Sequence, residues 1–156
     1  MGLRSKCKCL VALAAFLVFA AGSGGNEAAN PDIRVEISDQ KVLSIRVSIR
    51  SRSGTPVTFY KSLLPWGNRN SLILEAITPD GHCVQRFFAI DDPGFEKVTL
   101  NPTESLTGNI NLRDYFKDID GALKKSELQL FWAYKAPEEL NIGRWSGGWI
   151  LIPQQK

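Results

Sequence analysis

The chain has 156 residues with 19 basic and 16 acidic side chains, a formal net charge of +3 at pH 7, and three cysteines. This length fits one domain that is large enough to bury a substantial core. The positive excess lies in the first residues of the chain, so the remainder gives no reason to expect nucleic acid or an anionic membrane as a partner.

Residues 1–22 are typical of a signal peptide for export. A cationic start precedes an apolar run at 10–21, and small residues suited to cleavage lie at its end. The cationic residues are Arg4, Lys6 and Lys8. The run is shorter than the ~20 residues that span a bilayer, and no cysteine directly after it can carry a lipid. We expect cleavage between about Ala21 and Asn26. The product would be soluble, without a membrane anchor, in a bacterial periplasm or outside the cell.

Removal of the signal peptide changes both the charge and the cysteine content. Three of the 19 basic side chains lie in the leader, whereas none of the 16 acidic ones does, which leaves 16 against 16. Cys7 and Cys9 also leave, and Cys83 alone cannot form an intramolecular disulfide. We therefore expect a neutral monomer, with a disulfide-linked dimer through Cys83 as the alternative.

Residues 23–31 are small and polar and predict a flexible lead, whereas residues 32–154 predict one domain. Apolar and polar residues alternate with period two there, as in strands that bury one face. The predicted strands are 33–37, 43–49, 57–60, 72–77, 84–90, 98–100, 106–112, 128–134 and 145–152. Residues 114–123 allow at most one short helix, because Gly121 interrupts them. Such recurring strands predict an all-β sandwich of about 8–9 strands.

One segment resembles a pattern known from exported bacterial immunoglobulin-like domains. Residues 100–106 read LNPTESL and are followed by Ile110, Leu112 and Tyr115. In those domains a leucine, a proline turn and a Glu-Ser pair introduce a strand that ends at an Asp-Tyr corner. The resemblance implies a single immunoglobulin-like β-sandwich, and it implies no activity because this architecture hosts many functions.

No group of residues predicts a catalytic set. His82 and Cys83 are adjacent, and adjacent residues on a strand point to opposite faces, so we do not expect a nucleophile and its base there. An enzyme that works with carboxylates stays an alternative. Its candidate residues are Asp91, Asp92, Asp118 and Asp120.

An acidic stretch matches part of a calcium-binding loop. The residues at positions 3, 5, 6, 8 and 12 of the EF-hand pattern are Asp118, Asp120, Gly121, Leu123 and Glu127. Phe116 stands at the first position, where the loop needs a carboxylate. We therefore expect a solvated acidic turn, with no metal and no cofactor.

The tryptophans are the best functional lead. Trp145 and Trp149 are four residues apart on a predicted strand and share one face, while residues 146–148 between them are small. Such a platform can stack on a sugar or on a protein side chain. The alternative is that these rings, together with Trp132, fill the core.

The apolar loop at 63–67 contains Leu64 and Trp66. It predicts either a cap over one end of the core or a contact with a partner. Three short segments resemble fragments of the loop motifs of chagasin-type cysteine protease inhibitors, in a different order along the chain. These are Leu64-Pro65-Trp66, Asn101-Pro102-Thr103 and Ser146-Gly147-Gly148.

We therefore expect an exported soluble binding module with a protein or carbohydrate partner and without catalytic residues. The residues expected to contact the partner are Leu64, Trp66, Trp145 and Trp149. The alternatives are a sandwich that inhibits proteases through its loops and the carboxylate-based enzyme.

Overall fold

The computed structural model describes residues 32–88, 94–142 and 145–155, so the predicted signal peptide and the predicted lead at 23–31 lie outside it. Within these residues the chain forms eight strands, one α-helix and three short 3-10 segments. The strands are β1 (Ile33–Asp39), β2 (Ser44–Arg50), β3 (Val57–Tyr60), β4 (Leu72–Ile77), β5 (Lys97–Leu100), β6 (Ser105–Asn111), β7 (Leu128–Tyr134) and β8 (Ser146–Ile152), and the helix is α1 (Ile119–Lys125).

The strands form three antiparallel sheets. Sheet I has the order β1-β2-β6, sheet II has the order β4-β7-β8, and β3 pairs with β5 in a two-stranded ribbon. The mostly β architecture that the sequence predicts is confirmed. The helix is short, as expected, although it begins at Ile119, passes through Gly121 and continues to Lys125.

The inward faces of all three sheets meet in one hydrophobic core. Because side chains alternate along a strand, every second residue of β2 and of β7 enters it. Its buried residues include Ile45, Val47 and Ile49 of β2, Leu128, Leu130, Trp132 and Tyr134 of β7, and Phe59 and Leu100 of the ribbon. Removal of this apolar surface from water is the main stabilising contribution to the fold.

The strand predicted at 84–90 does not form in the described part of that range. The Val84 amide donates to the Ala76 carbonyl oxygen at 2.8 Å, and pairing with β4 then ends. The next position on the inward side is Arg86, whose charge does not belong in the core. Arg86 instead pairs with Glu75 at 3.4 Å, and the chain runs on beside the residues that precede α1.

The 3-10 turn Lys61–Leu63 and the residues after it close the core at the end where β7 finishes. The fully buried Tyr134 hydroxyl donates to the Leu63 carbonyl oxygen at 2.9 Å, and burial raises the pKa of this hydroxyl. Trp66 packs its ring over Gly108 of β6, where a Cβ atom would overlap the ring. One loop is thus joined to sheet II by a hydrogen bond and to sheet I by a ring contact.

Arg113 closes the end of the core where β7 begins. Its guanidinium donates to the carbonyl oxygens of Lys41 and Val42 at 3.0 and 2.6 Å. It also donates to both carboxylate oxygens of Asp120 at 2.9 Å, and this hydrogen bonding holds the pKa of the Asp120 carboxyl below its usual range. A single side chain therefore joins the turn between β1 and β2 to α1.

We expect Gly108→Ala to lower the free energy of unfolding by roughly 1–3 kcal/mol, because the added methyl group overpacks the site against Trp66. Reversible urea unfolding measures the change. Gly54→Ala is the matched control, since its Cβ would meet open space and the expected change is within about 0.5 kcal/mol. An effect at Gly108 no larger than that of the control would contradict the packing described for Trp66.

The ion pair of Asp120 predicts a defined pH dependence. Its folded-state pKa is lowered, so the pair stabilises the fold above the unfolded carboxyl pKa of ~3.9, and this stabilisation is lost as the pH falls through the folded-state value. Both side chains are more than a third exposed, so we expect Asp120→Asn to destabilise by at most about 1 kcal/mol near pH 7. Unfolding titrations of both proteins should show this difference shrinking below about pH 4. A difference that is independent of pH would contradict a role of the charge.

Candidate functional site

The side of sheet II that faces away from the core is largely apolar. The strand registers align three rows of outward residues, namely Ile73, Ala133 and Gly147, then Glu75, Phe131 and Trp149, then Ile77, Gln129 and Leu151. We call these nine positions the outer face of sheet II. Only Glu75 and Gln129 are polar, whereas the solvated face of an antiparallel sheet normally carries polar residues.

Several of the apolar side chains on this face are open to solvent. Trp149 is 59% exposed, Leu151 53% and Ile73 39%. Trp145 directly precedes β8, points to the same side as Gly147 by the alternation of the strand, and is 57% exposed. Contiguous exposed apolar side chains mark interaction sites, whereas scattered ones do not.

The Trp149 ring rests against its neighbour on β7. Phe131 lies directly opposite it in the register, with the ring centroids 5.1 Å apart and the ring planes inclined at 55°. Aromatic pairs favour tilted arrangements of this kind. The contact restricts the Trp149 side chain, which reduces the conformational entropy that a partner would have to remove on binding.

Sheet I has an ordinary outward face in the same domain. All of its paired outward positions are polar or charged, and they are Arg34, Glu36, Asp39, Ser44, Arg46, Ser48, Arg50, Ser105, Thr107, Asn109 and Asn111. Arg34 pairs with Glu36 at 2.9 Å, and the hydroxyls of Ser48 and Thr107 share a hydrogen bond at 3.0 Å. The apolar outward face is therefore a property of sheet II and does not follow from the architecture.

A groove follows the edge of β8. Within the described residues β8 pairs with β7 on one side and lies beside β1 of the other sheet without joining its ladder. The groove has a volume of about 650 Å³ and is lined by Trp145, Trp149, Gly147, Gly148 and residues 32–35. Because the two glycines carry no side chain, another backbone can approach β8 closely at this point.

Two of the four predicted contact residues contribute to the core instead. Leu64 is 3% exposed, so its side chain is not available to a partner, contrary to the prediction. Trp66 is half-buried, packs against the core and covers Gly108. Their loop caps one end of the core, which is one of the two alternatives that the sequence leaves open. Trp145 and Trp149 are the two predicted contact residues that lie on an exposed surface.

A second groove, of about 700 Å³, lies between the turn after β4 and α1. His82 and Cys83 both line it, and His82 Nδ1 lies 2.7 Å from Asp80 Oδ2. A hydrogen bond from the Thr78 hydroxyl, with a smaller contribution from His82, lowers the pKa of the Asp80 carboxyl. The Asp80 and His82 side chains are both largely exposed to solvent.

The acidic residues of the calcium-loop and enzyme hypotheses have other surroundings. Asp120 binds Arg113, Asp118 precedes α1 with a left-handed φ of 52°, and Phe116 is buried in the core. In the part of the chain that the structure describes, no three His, Cys, Asp or Glu side chains are grouped so as to hold a metal ion. Asp91 and Asp92 lie outside the described residues.

Sequence reasoning from β8 alone missed most of the apolar face. Ile73 and Phe131 belong to two other strands, and only the register places them beside Trp149. A signal was present, because β4 and β8 are nearly continuous apolar runs and two outward positions of β7 are the apolar residues Phe131 and Ala133, whereas the outward positions of β1 and β2 are polar. Continuous runs are typical of strands covered on both faces, and here one face is left open.

Comparison with known proteins yields no family for this chain. No protein-family model matches it, and a search of curated proteins gives no significant match. The geometry of the described residues is therefore the basis for assigning a function. None of the helical segments described is long and apolar enough to cross a membrane.

Replacement of each tryptophan by alanine should lower the free energy of unfolding by a different amount. We expect Trp132→Ala to destabilise by roughly 3–5 kcal/mol, because this ring is in the core. Trp149→Ala should cost about 1 kcal/mol through the lost contact with Phe131, and Trp145→Ala within about 0.5 kcal/mol. Urea unfolding measures all three. Equal costs for Trp145→Ala and Trp132→Ala would contradict the exposed position of Trp145.

Proposed function

We propose that the protein is an exported immunoglobulin-like β-sandwich that serves as a binding module, and that the outer face of sheet II contacts its partner. The proposal has three parts, which are the fold, the export and the binding surface. Each is supported by a different set of observations.

The strand order supports the immunoglobulin-like fold. In constant-type immunoglobulin domains the first, second and fifth strands share one sheet, and the third, sixth and seventh share the other. Sheets I and II follow this order, with β4 as the third strand and β3 as an addition after the second. β5 is fourth along the chain apart from that addition, but it pairs with β3, whereas the fourth strand of a constant-type domain joins the first sheet. The inward faces of both sheets contribute to one core, as in a sandwich.

Export is supported by the sequence of residues 1–22. A cationic start, an apolar run too short to span a bilayer and small residues at its end are the features of a cleaved signal peptide. The destination would be a periplasm or the extracellular space. A neutral domain with Cys83 as its single cysteine then depends on its core for stability.

The observation that carries the binding function is the contrast between the two outward faces. Sheet I presents polar and charged residues, whereas sheet II presents Trp149, Leu151 and Ile73 in one contiguous patch with Trp145 at its border. Large aromatic side chains are enriched among the residues that dominate binding energy at interfaces. An apolar face held by a well-packed sheet is suited to contact with a protein.

The chemistry of the face favours a protein over a carbohydrate. Hydroxyl groups of a sugar need hydrogen-bonding partners, and the outer face offers Glu75 and Gln129 alone. Glu75 already pairs with Arg86 at 3.4 Å. The inhibitor alternative has no support from Leu64 and Trp66, because their loop caps the core.

The experiment uses the immobilised mature domain to capture partners from the native compartment. We expect the double variant Trp145→Ala with Trp149→Ala to recover at least about tenfold less of a bound protein, since aromatic truncation at an interface removes 1 kcal/mol or more per residue. The matched control is Ser48→Ala with Thr107→Ala on sheet I. Binding of polysaccharides to the same immobilised proteins is measured as well, because it tests the carbohydrate alternative. Equal recovery by all three baits would contradict the assignment of the surface.

A further inference from the structure

The edges of the two large sheets differ in their protection against pairing with another molecule. At the edge of sheet I, β1 carries the charged pair Arg34 and Glu36. At the edge of sheet II formed by β4, the following chain folds back along β4, and the Val84 amide donates a hydrogen bond to the Ala76 carbonyl oxygen. β8 and β6 are both seven residues long without a charged residue or a proline, but among the described edge strands β8 is the one of the two that carries large exposed apolar side chains, Trp149 and Leu151. Charges, prolines and covering segments are the features that normally prevent pairing between edge strands.

The residues of β8 are also complementary to a copy of the same strand. We propose that two molecules join through antiparallel pairing of their β8 edges about a two-fold axis at Gly148. In this register Trp149 stands opposite Gly147 of the partner subunit, and Trp145 stands opposite Leu151 of the partner subunit. The inference rests on the proposed function, because it names a second copy as the partner of sheet II.

This register matches large outward side chains with space or with apolar surface. An aromatic ring that covers a glycine on the neighbouring strand stabilises a sheet, and here the two-fold axis creates that contact twice, between Trp149 and Gly147. Trp145 and Leu151 form the flanking apolar cross-strand pairs. The groove of about 650 Å³ beside Gly147 and Gly148 provides access to the edge.

The net charge of the domain does not oppose the association of two copies, and the described charges beside this edge are Asp32 and Arg34 of the groove. β8 itself is uncharged, and removal of the signal peptide leaves the domain with 16 basic and 16 acidic side chains. Domains of large net charge repel one another, whereas a neutral one does not. This non-covalent dimer is an alternative to the monomer that the sequence predicts, and it does not involve Cys83.

The size of the contact predicts a weak dimer. Two tryptophans that are more than half exposed present roughly 250 Å² in each copy, and thus roughly 500 Å² in the pair before Leu151 and the backbone are added. Interfaces below about 1,200 Å² are typical of weak or transient association. We therefore expect a dissociation constant of the dimer in the micromolar range.

Sedimentation velocity of the purified mature protein, from about 5 to 500 µM, tests the proposal at the concentrations where such a dimer dissociates. A reducing agent is present, so that no disulfide through Cys83 contributes. The sedimentation coefficient should rise from the monomer value towards the dimer value. A protein that stays monomeric over the whole range overturns the proposal.

Charge reversal tests the register and the identity of the occupant. Trp145→Lys combined with Leu151→Lys places like charges opposite each other twice, so association should weaken at least about tenfold. Trp145→Glu combined with Leu151→Glu should weaken it equally. An equal mixture of the two variants should associate again, because each lysine then faces a glutamate. The control is Thr107→Lys with Asn109→Lys on sheet I, which should leave association unchanged.

The remaining outcomes are decisive as well. A dimer that persists in the double-lysine variant, or a mixture that fails to associate, overturns the register and with it the proposal. Circular dichroism confirms that each variant is folded, and the measurement on the unmodified protein does not depend on any variant. Tryptophan-dependent capture of a different protein by a strictly monomeric chain would preserve the proposed function while this inference fails.

Discussion

The burial of the inward faces of sheets I and II in one core determines the arrangement of the remaining residues. Because side chains alternate along each strand, the register that buries Val47 and Leu130 also determines which residues face solvent. A shift by one residue would exchange the two faces of a strand. Gly108 is part of the same constraint, since its missing side chain makes room for the Trp66 ring over β6.

The exposed apolar residues on the outer face of sheet II favour unselective association with other molecules. Exposed aromatic side chains promote association with whatever apolar surface is nearby, and the polar face of sheet I shows that this fold does not require them. The face is also well supported, with Phe131 against Trp149 and Arg86 paired with Glu75 at the opposite side. A rigid apolar face of this kind is suited to selective contact, because its side chains lose little conformational entropy when a partner binds.

Local features of the fold were predictable from the sequence, and non-local ones were not. The alternation in β1, β2 and β7 is visible within a few residues, so those strands were found nearly at their observed bounds. The strand at 84–90 was expected from its apolar content, but Arg86 interrupts the inward side. Leu64 and Trp66 could not be placed, because their burial depends on Gly108 and Tyr134 much later in the chain.

In the candidate site, too, the local features were predictable from the sequence and the non-local ones were not. Trp145 and Trp149 share a face by a rule that holds within one strand, so their common side was predictable. The addition of Ile73 and Phe131 depends on the pairing of three strands that are far apart in sequence. That pairing is decided by packing, which one sequence read by local rules does not reveal.

The hydrogen bonds of Arg113 to the turn between β1 and β2 have a consequence for how the domain folds. Its guanidinium binds carbonyl oxygens 71 and 72 residues earlier in the chain, and the Ser48–Thr107 bond of sheet I spans 59 residues. Contacts between such distant segments slow folding, because a long loop must close before any of them forms. The pairing of β2 with β6 and of β4 with β7 therefore cannot form until the second half of the chain has been synthesised. A polypeptide whose long-range contacts form this late stays unfolded for longer after its first strands have been made.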